Sequence, residues 1–144
     1  MSEARRIVLC LPAAAPPADP WPEETAKRDV ALHYVWDGAP AGVVGWADGG
    51  WAAVELAATH AGLVDRLVLV ATPVPENENA LQLDAVQAKT LLLYGSPDGG
   101  HAQATWWQRR LGARIEMVPD EGRDILERVW PRVLSHLAPR ALRK

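Results

Sequence analysis

Three runs constrain this chain most: "AGVVGW" (Ala41–Trp46), "RLVLVA" (Arg66–Ala71) and "TLLLYG" (Thr90–Gly95). Each is apolar almost without interruption. A strand with one wet face alternates apolar and polar residues, whereas an unbroken run needs cover on both faces, the condition of a strand inside a parallel sheet. "RIVLCL" (Arg6–Leu11) and "RIEMV" (Arg114–Val118) read as two further strands. Helical patterns lie between them, at Pro22–Trp36, Gly50–His60, His101–Leu111 and Asp124–Leu137. This alternation predicts an α/β sandwich of about five mostly parallel strands flanked by helices, in one domain over residues 1–144.

The connections follow from local chemistry. "PAAAPPADPWP" (12–22) is Pro-rich and reads as an extended loop, with Pro22 at the first helical position and Glu23 and Glu24 at the positive end of the dipole. Residues 74–88 read as a polar connector with at most one helical turn, and 139–144 as a solvated basic tail. "DVALHYVW" (Asp29–Trp36) alternates like a strand, but only a handful of residues would link it to Ala41. A parallel crossover needs a dozen or more, so the segment is expected to end the Pro22 helix.

A chain of 144 residues buries about 68–70% of its unfolded surface, enough for a core without staples. The single cysteine, Cys10, rules out a disulfide framework and a Cys-based metal site. A net charge of −3 gives no reason to expect nucleic acid or an anionic membrane. Glu3 before Arg5-Arg6, and Pro12 soon after, make the N-terminal apolar run a first strand rather than a secretion signal, and no run approaches a membrane span. A cytoplasmic location is expected. There is no Phe, and the seven Trp are scattered through the chain.

The segment "GVVGWADGGWAAVELAATH" (Gly42–His60) joins an apolar strand, a Gly-rich turn and an Ala-rich helix. It resembles the α/β-hydrolases, in which a G-x-S-x-G turn presents the nucleophilic serine. "GWADGG" is similar to the GWSDGG of esterases of that family, with Ala47 at the serine position. "AKTLLLYGSPD" (Ala88–Asp98) resembles the strand and loop bearing the triad acid, and puts Asp98 there. "ARIEMVPDEGRDILERVWPRVLSHL" (Ala113–Leu137) resembles the last strand, the histidine loop and the final helix, with Arg123 at the histidine position. At the oxyanion loop, Pro12-Ala13 stands where the family has His-Gly. The resemblance implies a minimal, lidless version of the fold, lacking the family's first two strands and one strand–helix unit before the turn.

It also implies that the chemistry is gone. Nucleophilic catalysis needs an oxygen or sulfur nucleophile and a base to deprotonate it. Ala47 offers a methyl group, and an arginine at position 123 accepts no proton. Losing either triad member costs on the order of 10⁶ in kcat. Asp98 remains, with the Asp48 backbone N–H as half an oxyanion hole. An Arg123–Asp98 pair would serve as a clamp or as a charge facing the old cleft.

Substitutes are weak. Asp48 reads as a helix N-terminal carboxylate rather than a nucleophile, and His101 as a residue near a helix start rather than a base. His33, His60 and His136 read as surface or boundary residues at helix positions, and no metal or other cofactor is expected. Trp46 and Trp51 flank the turn, as core packing or as an aromatic wall for a small apolar ligand. The functional expectation is a catalytically inactive protein acting by protein association or self-association through a sheet edge beside Arg6–Leu11. The alternatives are a small-molecule site in the vestigial cleft of Trp46, Asp48, Pro12, Ala13 and His101, or a weak carboxylic ester hydrolase.

Overall fold

The computed structural model describes residues 6–11, 22–77, 82–95, 100–118 and 125–139. In chain order these form β1 (Arg6–Leu11), α1 (Pro22–Ala26), β2 (Val30–His33), β3 (Ala41–Trp46), α2 (Gly49–Thr59), β4 (Val64–Val70), β5 (Lys89–Gly95), α3 (Gly100–Leu111), β6 (Arg114–Val118) and α4 (Ile125–Leu137), with one 3₁₀ turn at Leu83–Ala85. The strands make one six-stranded sheet in the order β2-β1-β3-β4-β5-β6, and every described pairing is parallel.

The unbroken apolar runs have the predicted cause. Side chains alternate across a strand, and here both faces are covered. Val44, Val68, Val70, Leu91 and Leu93 pack beneath Trp130, Val133, Leu134 and Leu137 of α4. Val43, Leu67, Leu69, Leu92 and Tyr94 face the other way, against Ala53, Val54 and Ala57 of α2 and Ala104 and Trp107 of α3. The Ala-rich face of α2 lets that helix lie close to the sheet. Gly42 does the same for α4, since a Cβ there would stand 3.2 Å from Leu137 Cβ.

The segment Asp29–Trp36 departs from expectation. Helix α1 begins at Pro22, with Glu23 and Glu24 in its first turn, but ends at Ala26. Residues Val30–His33 are a strand paired to β1, so the sheet has six strands rather than about five. A short crossover suffices because β2 has only four residues, even though β1 stands between it and β3. The link Tyr34–Pro40 must retrace only a four-residue strand, about 13 Å, and move sideways by about 10 Å. Seven residues extend to about 23 Å, which is enough.

Two expectations fall with this correction. The strand expected to be missing before the Gly-rich turn is present as β2, and β1 is internal, so the free edges among the described strands are β2 and β6.

Candidate functional site: the strand-to-helix turn at Ala47

Strand β3 ends at Trp46, and the next residue takes φ 53°, in the left-handed region that non-glycine residues rarely occupy. Ala47 N–H donates to Val70 O at 2.9 Å, extending the ladder to β4 by one bond. The chain then turns into α2, with Gly50 N–H donating to Ala47 O at 3.0 Å and Trp51 N–H to Asp48 O at 3.1 Å. Asp48 is exposed at the N-cap and its carboxylate makes no capping bond.

The glycines around this turn answer to close approach. A Cβ on Gly45 would meet Gly50 Cα and stand 2.9 Å from Ala53 Cβ. A Cβ on Gly50 would run into the Thr72 side chain. The first helical turn thus sits directly on the ends of β3 and β4.

Strand β4 ends by the same device. Ala71 also has φ 53°, and its N–H donates to Leu93 O at 2.9 Å, as Ala47 does one strand over. The residues beyond it are pinned by three aromatic donors. Thr72 O accepts from Tyr94 Oη at 2.5 Å and from Trp107 Nε1 at 3.1 Å, and Pro73 O accepts from Trp51 Nε1 at 2.9 Å. Tyr94 and Trp107 are buried, and burial pushes the Tyr94 phenol well above its ordinary pKa despite the bond to Thr72. Nothing in the sequence marked Ala71 and Thr72; only the approach of α2, β5 and α3 gives them a role.

The sequence-predicted residues divide into two groups. Trp46, Ala47 and Asp48 are consecutive at the turn, with Trp46 and Ala47 half-buried. Trp46 packs with the cluster under α4, and Trp51 with the cluster under α2 and α3, so the two line opposite faces of the sheet. His101 is exposed in the first turn of α3. Pro12, Ala13, Asp98 and Arg123 lie outside the described residues, and with them the Arg123–Asp98 pair. The described chain leaves β1 at Leu11, β5 at Gly95 and β6 at Val118, all at the same end of the parallel sheet as Ala47.

The remaining histidines are dispersed. His33 is on strand β2, not on a helix as expected. His60 follows α2 and packs on Trp36 with ring centroids 4.6 Å apart. His136, on α4, has Nε2 at 2.9 Å from Lys89 O, and burial holds its pKa below the ordinary value. Among the described residues no three His, Cys, Asp or Glu converge on a metal position, and no helix is long and apolar enough to cross a membrane.

The chain is similar in architecture to solved hydrolase structures. A predicted CIB-like hydrolase of Thermoplasma acidophilum superposes with a TM-score of 0.66 at 16% identity, over 90% of this chain and 84% of that one. The chain has the α/β-hydrolase fold. A fluorophosphonate-binding serine hydrolase of Staphylococcus aureus gives a TM-score of 0.67 at 9% identity, over 94% of this chain and 84% of its own. An enol-lactonase of Burkholderia xenovorans gives 0.62 at 11%, over 92% and 90%. No family model matches the sequence, and no curated protein does. The likeness therefore lies in the fold, and Ala47, with no lone pair to donate, differs from a nucleophile whatever the backbone around it.

Proposed function

We propose that this α/β-hydrolase-fold chain is catalytically inactive and acts by protein association, with a second copy of itself as the first partner to test. The observation that carries the inactive reading is Ala47. The strained, left-handed position at the tip of a strand–turn–helix is kept, but a methyl group occupies it. In this reading the turn is a nucleophile elbow without its nucleophile. Arg123 at the histidine position and Pro12-Ala13 at the oxyanion loop support it, because they remove the base and a second oxyanion donor independently. A single altered residue would leave a repairable site; three changes leave a scaffold.

Support for association comes from the β2 edge. This strand has four residues, pairs only with β1 among the described strands, and is followed by Val35, an apolar side chain 81% exposed. An unpaired strand edge presents N–H and C=O groups to which another chain can add, and the exposed Val35 beside it adds apolar surface to bury.

The experiment has two arms. Incubation with a fluorophosphonate probe and with nitrophenyl esters is expected to give neither labelling nor turnover; turnover abolished by Asp98→Asn would overturn the inactive reading. Light scattering is expected to give a mass above one chain that falls to one chain in Val35→Asp. A strict monomer at tens of micromolar would overturn self-association.

A further inference from the structure

Four strands open on a basic residue or have one close to their start: Arg6 in "RIVLCL", Arg66 in "VDRLVLV", Lys89 in "KTLLLYG" and Arg114 in "RIEMV". In a parallel sheet all strand starts lie at one end. These cations therefore gather at the rim opposite Ala47, although the chain as a whole carries −3.

An open pocket of about 540 Å³ lies at this rim, lined by Arg66, Lys89, Arg114, Arg132, Ser135 and His136 among others, with no Asp or Glu among its described lining residues. That volume falls within the range of small-molecule sites. Arg66 and Lys89 are register partners on β4 and β5, so two like charges stand side by side on one face. Such a pair is unfavourable unless an anion or water lies between them.

Other contacts hold the pocket walls. Arg132 is clamped to Glu116 by Nε bonds of 2.9 and 2.8 Å to both carboxylate oxygens, and its Nη1 donates to Ser135 Oγ at 3.1 Å. Arg66 Nη1 donates to His136 O at 3.2 Å. Arg6 Nε donates to Leu137 O at 2.9 Å, so Arg6 and Arg66 also cap the last carbonyls of α4. Capping and an ion pair of Arg6 Nη2 with Asp65 Oδ1 at 2.5 Å account for Arg6, capping accounts for part of Arg66, and Glu116 accounts for Arg132. These contacts leave Lys89 and Arg114 unexplained: Arg114 reaches Glu116 only at 4.0 Å with its side chain 77% exposed.

We propose that this rim pocket binds a phosphorylated small molecule, its phosphate held by Lys89, Arg114 and the guanidinium of Arg66. Half-buried His136 meets Arg66 from β4, Lys89 O from β5, Glu116 from β6 and Arg132 on its own helix, and lines the pocket together with Arg114. A bound dianion would offset the cations around its ring and raise its pKa.

Inorganic pyrophosphate is the probe, with sodium sulfate at equal ionic strength as the control. Calorimetry is expected to show saturable one-site binding, weakened about 10-fold by Lys89→Gln or Arg114→Gln and about 50-fold or more by the pair. The His136 ring signals in NMR are expected to titrate at higher pH in saturating pyrophosphate. Because Lys89 and Arg114 are exposed, these variants keep the fold, which a thermal melt checks. No saturation up to about 10 mM, an equal response to sulfate, or undiminished binding in the folded double variant would each overturn the proposal. None of these outcomes bears on Ala47, so the two readings fail separately.

Discussion

Gly50 in the first turn of α2 lies against Thr72 beyond the end of β4, so closely that a Cβ on the glycine would stand 2.6 Å from Thr72 Cγ2 and 2.8 Å from Thr72 Cβ. That contact sets how near the helix comes to the sheet at the turn. Gly50→Ala is expected to destabilise by about 3 kcal/mol, at the upper end for an overpacked core. Thr72→Gly in the same chain should recover part of that loss, so a double-mutant cycle by urea unfolding would show coupling. Additive losses would mean that the helix start is not held by this contact.

Thr72 itself is expected to tolerate a second change. Its Oγ1 is buried with no hydrogen-bond partner among the described residues. An unmet buried hydroxyl costs about 1–3 kcal/mol. Thr72→Val is therefore expected to raise stability by about 1 kcal/mol, read as a higher urea midpoint at constant slope.

Ala47 and Ala71 share φ 53°. The left-handed conformation costs a non-glycine residue about 1–2 kcal/mol, and glycine escapes this at an entropic cost of about 0.5–1 kcal/mol. Ala47→Gly and Ala71→Gly are each expected to stabilise by about 0.5–1 kcal/mol. A loss of stability in either would mean that the methyl group's packing outweighs the backbone strain.

On the proposed reading, restoring both the nucleophile and the base should not restore chemistry. Ala47→Ser combined with Arg123→His is expected to leave ester turnover at the level of the parent chain, because Pro12-Ala13 stands where the resemblance expects the His-Gly of an oxyanion loop. Robust nitrophenyl ester hydrolysis by this double variant would show that the scaffold still aligns a working site.

Acid should weaken the α4 end of the molecule in two steps. Burial holds the His136 pKa below its ordinary 6.5. Its neutral form is thus favoured by folding, and that stability is full above 6.5 and lost as pH falls below it. Glu116 is held below its ordinary 4.5 by the hydrogen bonds from Arg132. Its contribution is full above 4.5 and lost as pH falls through the lowered value. Between pH 7.5 and 5.5 the urea midpoint is expected to fall less in His136→Asn than in the parent chain, while Glu116→Gln should alter only the loss below about pH 5.

Much of the architecture was legible in the chain. Strands β1, β3 and β6 match their predicted bounds, and helix α3 differs from its predicted span by one residue. These elements carry their own period, since a strand covered on both faces must be apolar throughout. The Gly-rich turn was also visible, and with it the alanine at its tip. Strand β2 was not: its four residues carry too little pattern to outvote a topological rule, and its partner is β1 rather than the strand that follows it. Thr72 and Ala71 carry no sequence signal at all.

The basic rim shows where the two kinds of information divide. Sequence alone determined that Arg66, Lys89 and Arg114 stand at or near the start of three strands, and that a methyl group stands where the resemblance expects a nucleophile. Only the tertiary structure decided that those strands lie side by side in register, which turns residues up to 48 positions apart into one pocket wall. Local patterns record the face each side chain presents; the sheet order, set by long-range burial, decides which faces meet.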